Sequence, residues 1–208
     1  MDSKLIFACI CALAIPALCA DRGSHSNRGR ARTEEDQGDS RLTGNYVRIK
    51  VEILKLTNDQ GLASSGSHCD FAGTCDPVLY CNLDTERPNA DWPGSKPDNT
   101  WPTVFGVDNV NSPNIGTTIH KDICGPKYNE ANLRIFALDR DPASKDDLIN
   151  QWDCPINRNP DRHEGSAEWS PTFECLPKYQ PGKMKLTYRY QVFHITRSQC
   201  NSTVPNAK

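Results

Sequence analysis

Two acidic segments hold the residue types best suited to chemistry. The first is Cys69-Asp70-Phe71-Ala72-Gly73-Thr74-Cys75-Asp76-Pro77, in which Asp70 and Asp76 stand six positions apart around a glycine. The second is Leu138-Asp139-Arg140-Asp141-Pro142-Ala143-Ser144-Lys145-Asp146-Asp147-Leu148-Ile149, in which Asp139 and Asp141 are alternate residues and Asp147 returns after a turn. Alternate residues at a strand end point the same way. Carboxylates gathered together repel unless a cation lies between them. The chemistry expected is therefore coordination of a hard cation, and calcium, which takes roughly six to eight oxygen ligands at flexible geometry, suits it best. Magnesium prefers fewer carboxylates and more water, and zinc prefers His or Cys. For either segment alone, an aspartate that caps its own turn is the plainer explanation; both segments in one chain favour the ion.

Enzyme chemistry is not expected. His25, His68, His120, His163 and His194 are scattered, and neither G-x-S-x-G nor H-E-x-x-H occurs. The net charge of −2 gives no basic excess for a general nucleic-acid binder.

The elements that must position these aspartates read as strands. Val47, Ile49, Val51 and Ile53 alternate with Arg48, Lys50 and Glu52 within Tyr46 to Leu56, the period-two pattern of a half-buried strand. Further strands are expected over Pro77 to Leu83, Val104 to Val107, Leu133 to Leu138 and Met184 to Ile195, with a bulge where Phe193 follows Val192. Asp84 to Thr103, rich in Pro, Asn, Asp and Gly, reads as a long loop carrying Trp92 and Trp101. Those tryptophans either form a contact surface or fold back over the sheet. No long 3.6-period apolar pattern is present, so the expected class is all-β: an antiparallel sandwich with disulfides and long polar loops.

The compartment is read from the start of the chain. Lys4 precedes an apolar run of about 15 residues, Leu5 to Ala20, that ends in small residues; a membrane span needs roughly 20. Residues 1–20 are expected to be a cleaved signal peptide, which makes the protein secreted, with no transmembrane span. Residues 21–43, nearly free of apolar side chains, are expected to be a disordered arm, residues 44–200 the folded domain, and residues 201–208 a tail. Of ten cysteines, Cys9, Cys11 and Cys19 leave with the signal peptide. In an oxidising compartment Cys69, Cys75, Cys81, Cys124, Cys154 and Cys175 are expected in disulfides, leaving Cys200 as the odd thiol; spacing does not fix the pairing. Asn201-Ser202-Thr203 is a glycosylation acceptor, at Asn201.

The two acidic segments together resemble a C2 domain, the calcium- and phospholipid-binding β-sandwich. Its first loop carries two aspartates six apart, the second before a strand, where this chain has Cys75-Asp76-Pro77-Val78-Leu79-Tyr80. A later loop carries Asp-x-Asp and a further Asp eight positions after the first, matched by Asp139, Asp141 and Asp147. The resemblance implies that Asp70, Asp76, Asp139, Asp141 and Asp147 are calcium ligands and that the partner is an anionic membrane surface, bound in a calcium-dependent way. Asn150 stands where the family usually has Gly. The run Cys75-Asp76-Pro77-Val78-Leu79-Tyr80-Cys81-Asn82-Leu83, with Phe105-Gly106, Ser112-Pro113-Asn114-Ile115-Gly116 and Leu186 to Val192, also resembles the N-terminal domain of Notch ligands of the Jagged/Serrate and Delta type. That likeness implies a Notch-type receptor or an extracellular matrix protein as an alternative partner. Those ligands continue into further modules and a membrane span, so a chain ending at Lys208 is not expected to be an anchored signalling ligand.

Overall fold

A computed structural model describes residues 45–70, 74–141 and 145–201. The expected signal peptide and N-terminal arm, Phe71 of the first acidic segment and the tail after Asn201 lie outside the described residues. The fold is an antiparallel β-sandwich. One sheet has the order β4-β1-β9-β7 and the other β3-β2-β5-β6-β8. The strands are β1 Tyr46–Thr57, β2 Pro77–Asp84, β3 Thr103–Gly106, β4 Asn114–Cys124, β5 Ala131–Asp139, β6 Asp147–Ile156, β7 Phe173–Glu174, β8 Leu176–Pro177 and β9 Lys185–His194. Among the described residues no helix is long and apolar enough to cross a membrane.

The period-two patterns set the inner faces. Val47, Ile49, Val51 and Ile53 of β1 are buried against Leu79, Leu133, Ile135 and Trp152 of the facing sheet, within one core cluster. Each such side chain contributes about 1.5–3 kcal/mol when fully buried. A register shift between Ile53 and Lys55 changes the parity of β1, so that Leu56, not Lys55, is buried next. That is where the bulge falls. At Val192 and Phe193, where the break in alternation predicts one, the β1–β9 register runs unbroken (Ile49 opposite Val192, Arg48 opposite Phe193). Phe193 is buried on the outer face because residues 161–170 lie across that face: His194 N–H donates to Asp161 O, and the Gln191 amide donates to Ala167 O.

β4, β6 and the two-residue edge strands β7 and β8, absent from the strands expected above, complete the sheets. β4 is an edge strand buried only toward its end, so its sequence lacks an apolar alternation. In β6 one inward position is Asn150, and a register shift between Ala137 and Leu138 of its partner breaks the pattern. Asn150 is fully buried and pins the 179–184 turn: its amide donates to Tyr179 O, and its Oδ1 accepts from Tyr179 N. A glycine there would leave that turn without its anchor.

The long loop folds back. Trp101 is buried, 5.6 Å from Phe136 between ring centroids, and half-buried Trp92 lies against it. Arg134, on the outer face of β5, holds the loop from beneath. Its guanidinium donates to Asp153 Oδ1 at 2.9 Å and to the carbonyls of Pro88 and Ala90, and it stands 3.7 Å from Asp84 Oδ2.

The cysteine pairing corrects the expectation in two places. The disulfides are Cys69–Cys75, Cys124–Cys200 and Cys154–Cys175. Cys200 is therefore bonded, although it is 76 positions from Cys124. Cys81 is the free thiol among the described residues. It sits mid-strand in β2 with its side chain in the core, and burial pushes its pKa up to about 12. The reason is geometric: Cys124 ends β4, Tyr46 of β1 is its register partner, and the chain leaving β9 beside β1 brings Cys200 there.

Candidate metal centre

Three connections meet at one end of the sandwich: β1–β2, β3–β4 and β5–β6. Asp139 is the last residue of β5 and the register partner of Pro77, the first of β2. Pro77 has no N–H, so the adjacent donor is the Asp76 N–H, which donates to Asp139 Oδ1 at 2.6 Å. Arg140 N–H donates back to Asp76 O at 3.1 Å. These two bonds stitch the acidic segments together.

Asp70 arrives by a separate route. The side-chain amide of Asn58, fully buried, donates to Leu62 O and to Cys75 Sγ and accepts Leu62 N–H, and Cys69 N–H donates to Gly61 O. The Cys69–Cys75 disulfide then fixes the residue before Asp70 to the residue before Asp76. As a result one carboxylate oxygen from each of Asp70, Asp139 and Asp141 lies within 4.8 Å of the other two. The sulfurs of Cys69 and Cys75 lie equally near Asp139 but, joined to each other, offer no thiolate.

Asp139 is 1% exposed, and its Oδ2 has no hydrogen-bond partner among the described residues. Burial pushes its carboxyl pKa above the ordinary value; the Asp76 N–H opposes this, and the charges of Asp70, Asp141 and Asp76 add to it. A buried, unpartnered carboxylate oxygen beside two further carboxylates fits an oxygen-seeking divalent cation, and calcium fits this donor set.

The remaining sequence-predicted residues sit differently. The Asp76 carboxylate accepts the Asn109 N–H, which draws the β3–β4 connection toward the site. Asp147 is exposed, faces Asp139 in register across β5–β6, and is not one of the three clustered carboxylates. Asp146 accepts the Asp141 N–H at 3.2 Å. Sequence reading missed the support given by residues 108–112: Asn111 Oδ1 accepts Cys75 N–H at 2.7 Å, Val110 N–H donates to Cys75 O, and Asp108 pairs with Arg140. The only sequence signal was the run of Asp, Asn and Ser there, which reads equally as an ordinary loop. The glycosylation candidate Asn201 is exposed, and its N–H donates to Asp122 Oδ2.

No protein-family model and no curated protein matches the chain. Among solved structures it is similar to a C2 domain protein from Ramazzottius varieornatus, with 31% identity and a TM-score of 0.70 over 77% of this chain and 95% of that one. More distant are a C2 domain of plant Extended Synaptotagmin 1 (12% identity, TM-score 0.47, 72% of this chain and 95% of that one) and Drosophila C2-DSL-EGF1 (15%, 0.43, 71% and 67%). Likeness at that distance carries no argument about function.

Proposed function

The chain belongs to the C2 domain family, and on that premise we propose that it is a secreted, calcium-binding domain that docks on anionic phospholipid surfaces when calcium is present. The observation that carries this reading is buried Asp139, with an unpartnered oxygen and two further carboxylates gathered on it. Asp70, Asp139 and Asp141 would hold the ion, with Asp76 and Asp147 flanking it. A bound calcium ion supplies positive charge at a rim that is otherwise acidic, so that anionic headgroups are attracted rather than repelled. On the same rim, Val110 is an exposed apolar residue tied to Cys75, and half-buried Leu148 lines a shallow groove with Ser64 and Lys145. These side chains would rest against the acyl boundary once the charges are balanced. The signal-peptide-like start and the three disulfides support an extracellular setting.

Co-sedimentation with anionic and neutral vesicles tests this, with and without calcium, using Asp139→Asn with Asp141→Asn as control. Binding to anionic vesicles that needs calcium and is lost in the double variant is the expected result. Binding unchanged in chelator would reject the reading. The Notch-ligand-like alternative, recognition of an extracellular receptor or matrix partner, loses Trp101 of the long loop as a contact residue, because it is 5% exposed, and keeps only half-buried Trp92.

A further inference from the structure

The Cys69–Cys75 disulfide occupies an unusual place: it closes the very loop that carries Asp70 and ends one residue before Asp76. The other disulfides among the described residues lie away from the site. Cys154 is seven residues along β6 from Asp147, roughly 20 Å at the rise of a strand, and Cys124 ends β4, the edge strand of the opposite sheet. Asp139 and Asp76 are held by strand pairing and by the Asp76 N–H. Asp70 belongs to no strand, and its covalent tie to that frame is the disulfide. The two sulfurs, of residues 9% and 1% exposed, also lie within 4.8 Å of an Asp139 carboxylate oxygen.

We propose that the Cys69–Cys75 disulfide is a positioning element of the cation site, so that calcium affinity depends on its oxidation. This rests on the calcium reading above. Opening it takes two thiols of a reductant such as glutathione: each protein sulfur gains one electron and one proton, and the reductant leaves as its own disulfide. Asp70 is then free to move away from Asp139 and Asp141, and the cost of ordering a short loop falls on the binding of the ion. Coupling of this kind is reciprocal: if the disulfide strengthens calcium binding, calcium must stabilise the disulfide by the same factor.

The test is calorimetric titration with calcium of the oxidised chain, of Cys69→Ser with Cys75→Ser, and of Cys154→Ser with Cys175→Ser as a control for general loss of a cross-link. The expected result is a loss of affinity of about tenfold or more in the first variant, from loop-closure entropy, with the control close to the parent. Asp70→Asn should weaken the parent and add nothing in the Cys69/Cys75 variant. A mutant-free arm guards against misfolding: in a glutathione redox buffer, mass spectrometry reads the ratio of oxidised to reduced Cys69–Cys75, which saturating calcium should raise by the same factor. Equal affinities in parent and variant, or a redox equilibrium indifferent to calcium, overturn the proposal while leaving the calcium reading intact. An oxidised parent that binds no calcium overturns both.

Discussion

The main-chain N–H of Asp76 donates to Asp139 Oδ1 at 2.6 Å, joining two acidic segments that lie 63 positions apart in the chain. One oxygen of Asp139 thus orders the neighbouring loop, while the other is buried without a hydrogen-bond partner among the described residues. The same carboxylate is part of the scaffold and a charge that its surroundings disfavour, because burial and the nearby aspartates both raise its pKa. That double role sets the first expectation.

Asp139→Asn keeps an acceptor for the Asp76 N–H and removes the disfavoured charge. In chelator the variant should be at least as stable as the parent, by up to about 1 kcal/mol. In calcium only the parent should gain thermal stability. Scanning calorimetry in both conditions measures this; a variant much less stable in chelator would show that the charge is not disfavoured.

Asp147 lies on the facing strand, exposed, outside the three clustered carboxylates. Asp147→Asn should therefore weaken calcium binding less than Asp70→Asn or Asp141→Asn. Parallel titrations decide it, and an equal or larger loss at Asp147 would mean that the β5–β6 connection closes onto the ion when it binds.

Arg134, 1% exposed between Asp84 and Asp153, anchors the tryptophan loop. Arg134→Met leaves buried Asp84 without its cation and should cost about 3–5 kcal/mol. Gly94→Ala should also destabilise strongly: φ at Gly94 is +86°, and an added Cβ would overlap the Asp84 carboxylate and stand 2.6 Å from Arg134 Nε. Urea unfolding followed by tryptophan fluorescence measures both, and a fully stable Gly94→Ala would contradict this packing.

Asp122 ties the C-terminal segment to the sheet, with Arg48 at 2.7 Å and Asn201 N–H at 2.8 Å. Burial opposes its charge, but the guanidinium and that N–H outweigh it and hold the carboxyl below its ordinary value of 3.8. A depressed carboxyl stabilises the fold above its unfolded pKa, and the contribution is lost as pH falls through the folded value. Asp122→Asn should cost about 1–3 kcal/mol at neutral pH. Its deficit against the parent should shrink once the pH drops below 3.8. A deficit that stays constant into acid would point to packing rather than charge.

Cys81 should resist alkylation in the native protein, since its thiol is buried and that burial pushes its pKa up to about 12. Without reductant, a denatured chain beginning after residue 20 should expose one reactive thiol, mapped to Cys81. Label at Cys200 would contradict the Cys124–Cys200 bridge.

Much of this could be read from the chain alone. Alternation of β-branched residues in β1 and β9 announces strands because one face of a sheet is buried and the other is not. The spacing of Asp139 and Asp141 announces a shared direction because the strand period is two. Only the tertiary structure decided the rest. β4 and β6 escaped because an edge position and an inward Asn150 erase the pattern that burial normally writes. The partner of Cys200 depended on which strand ends meet, a long-range fact that no local spacing encodes. So did the choice of Asp70, Asp139 and Asp141 over Asp76 and Asp147 as the gathered carboxylates: residues far apart in the chain converge only after register, turn and disulfide have set where each backbone stops.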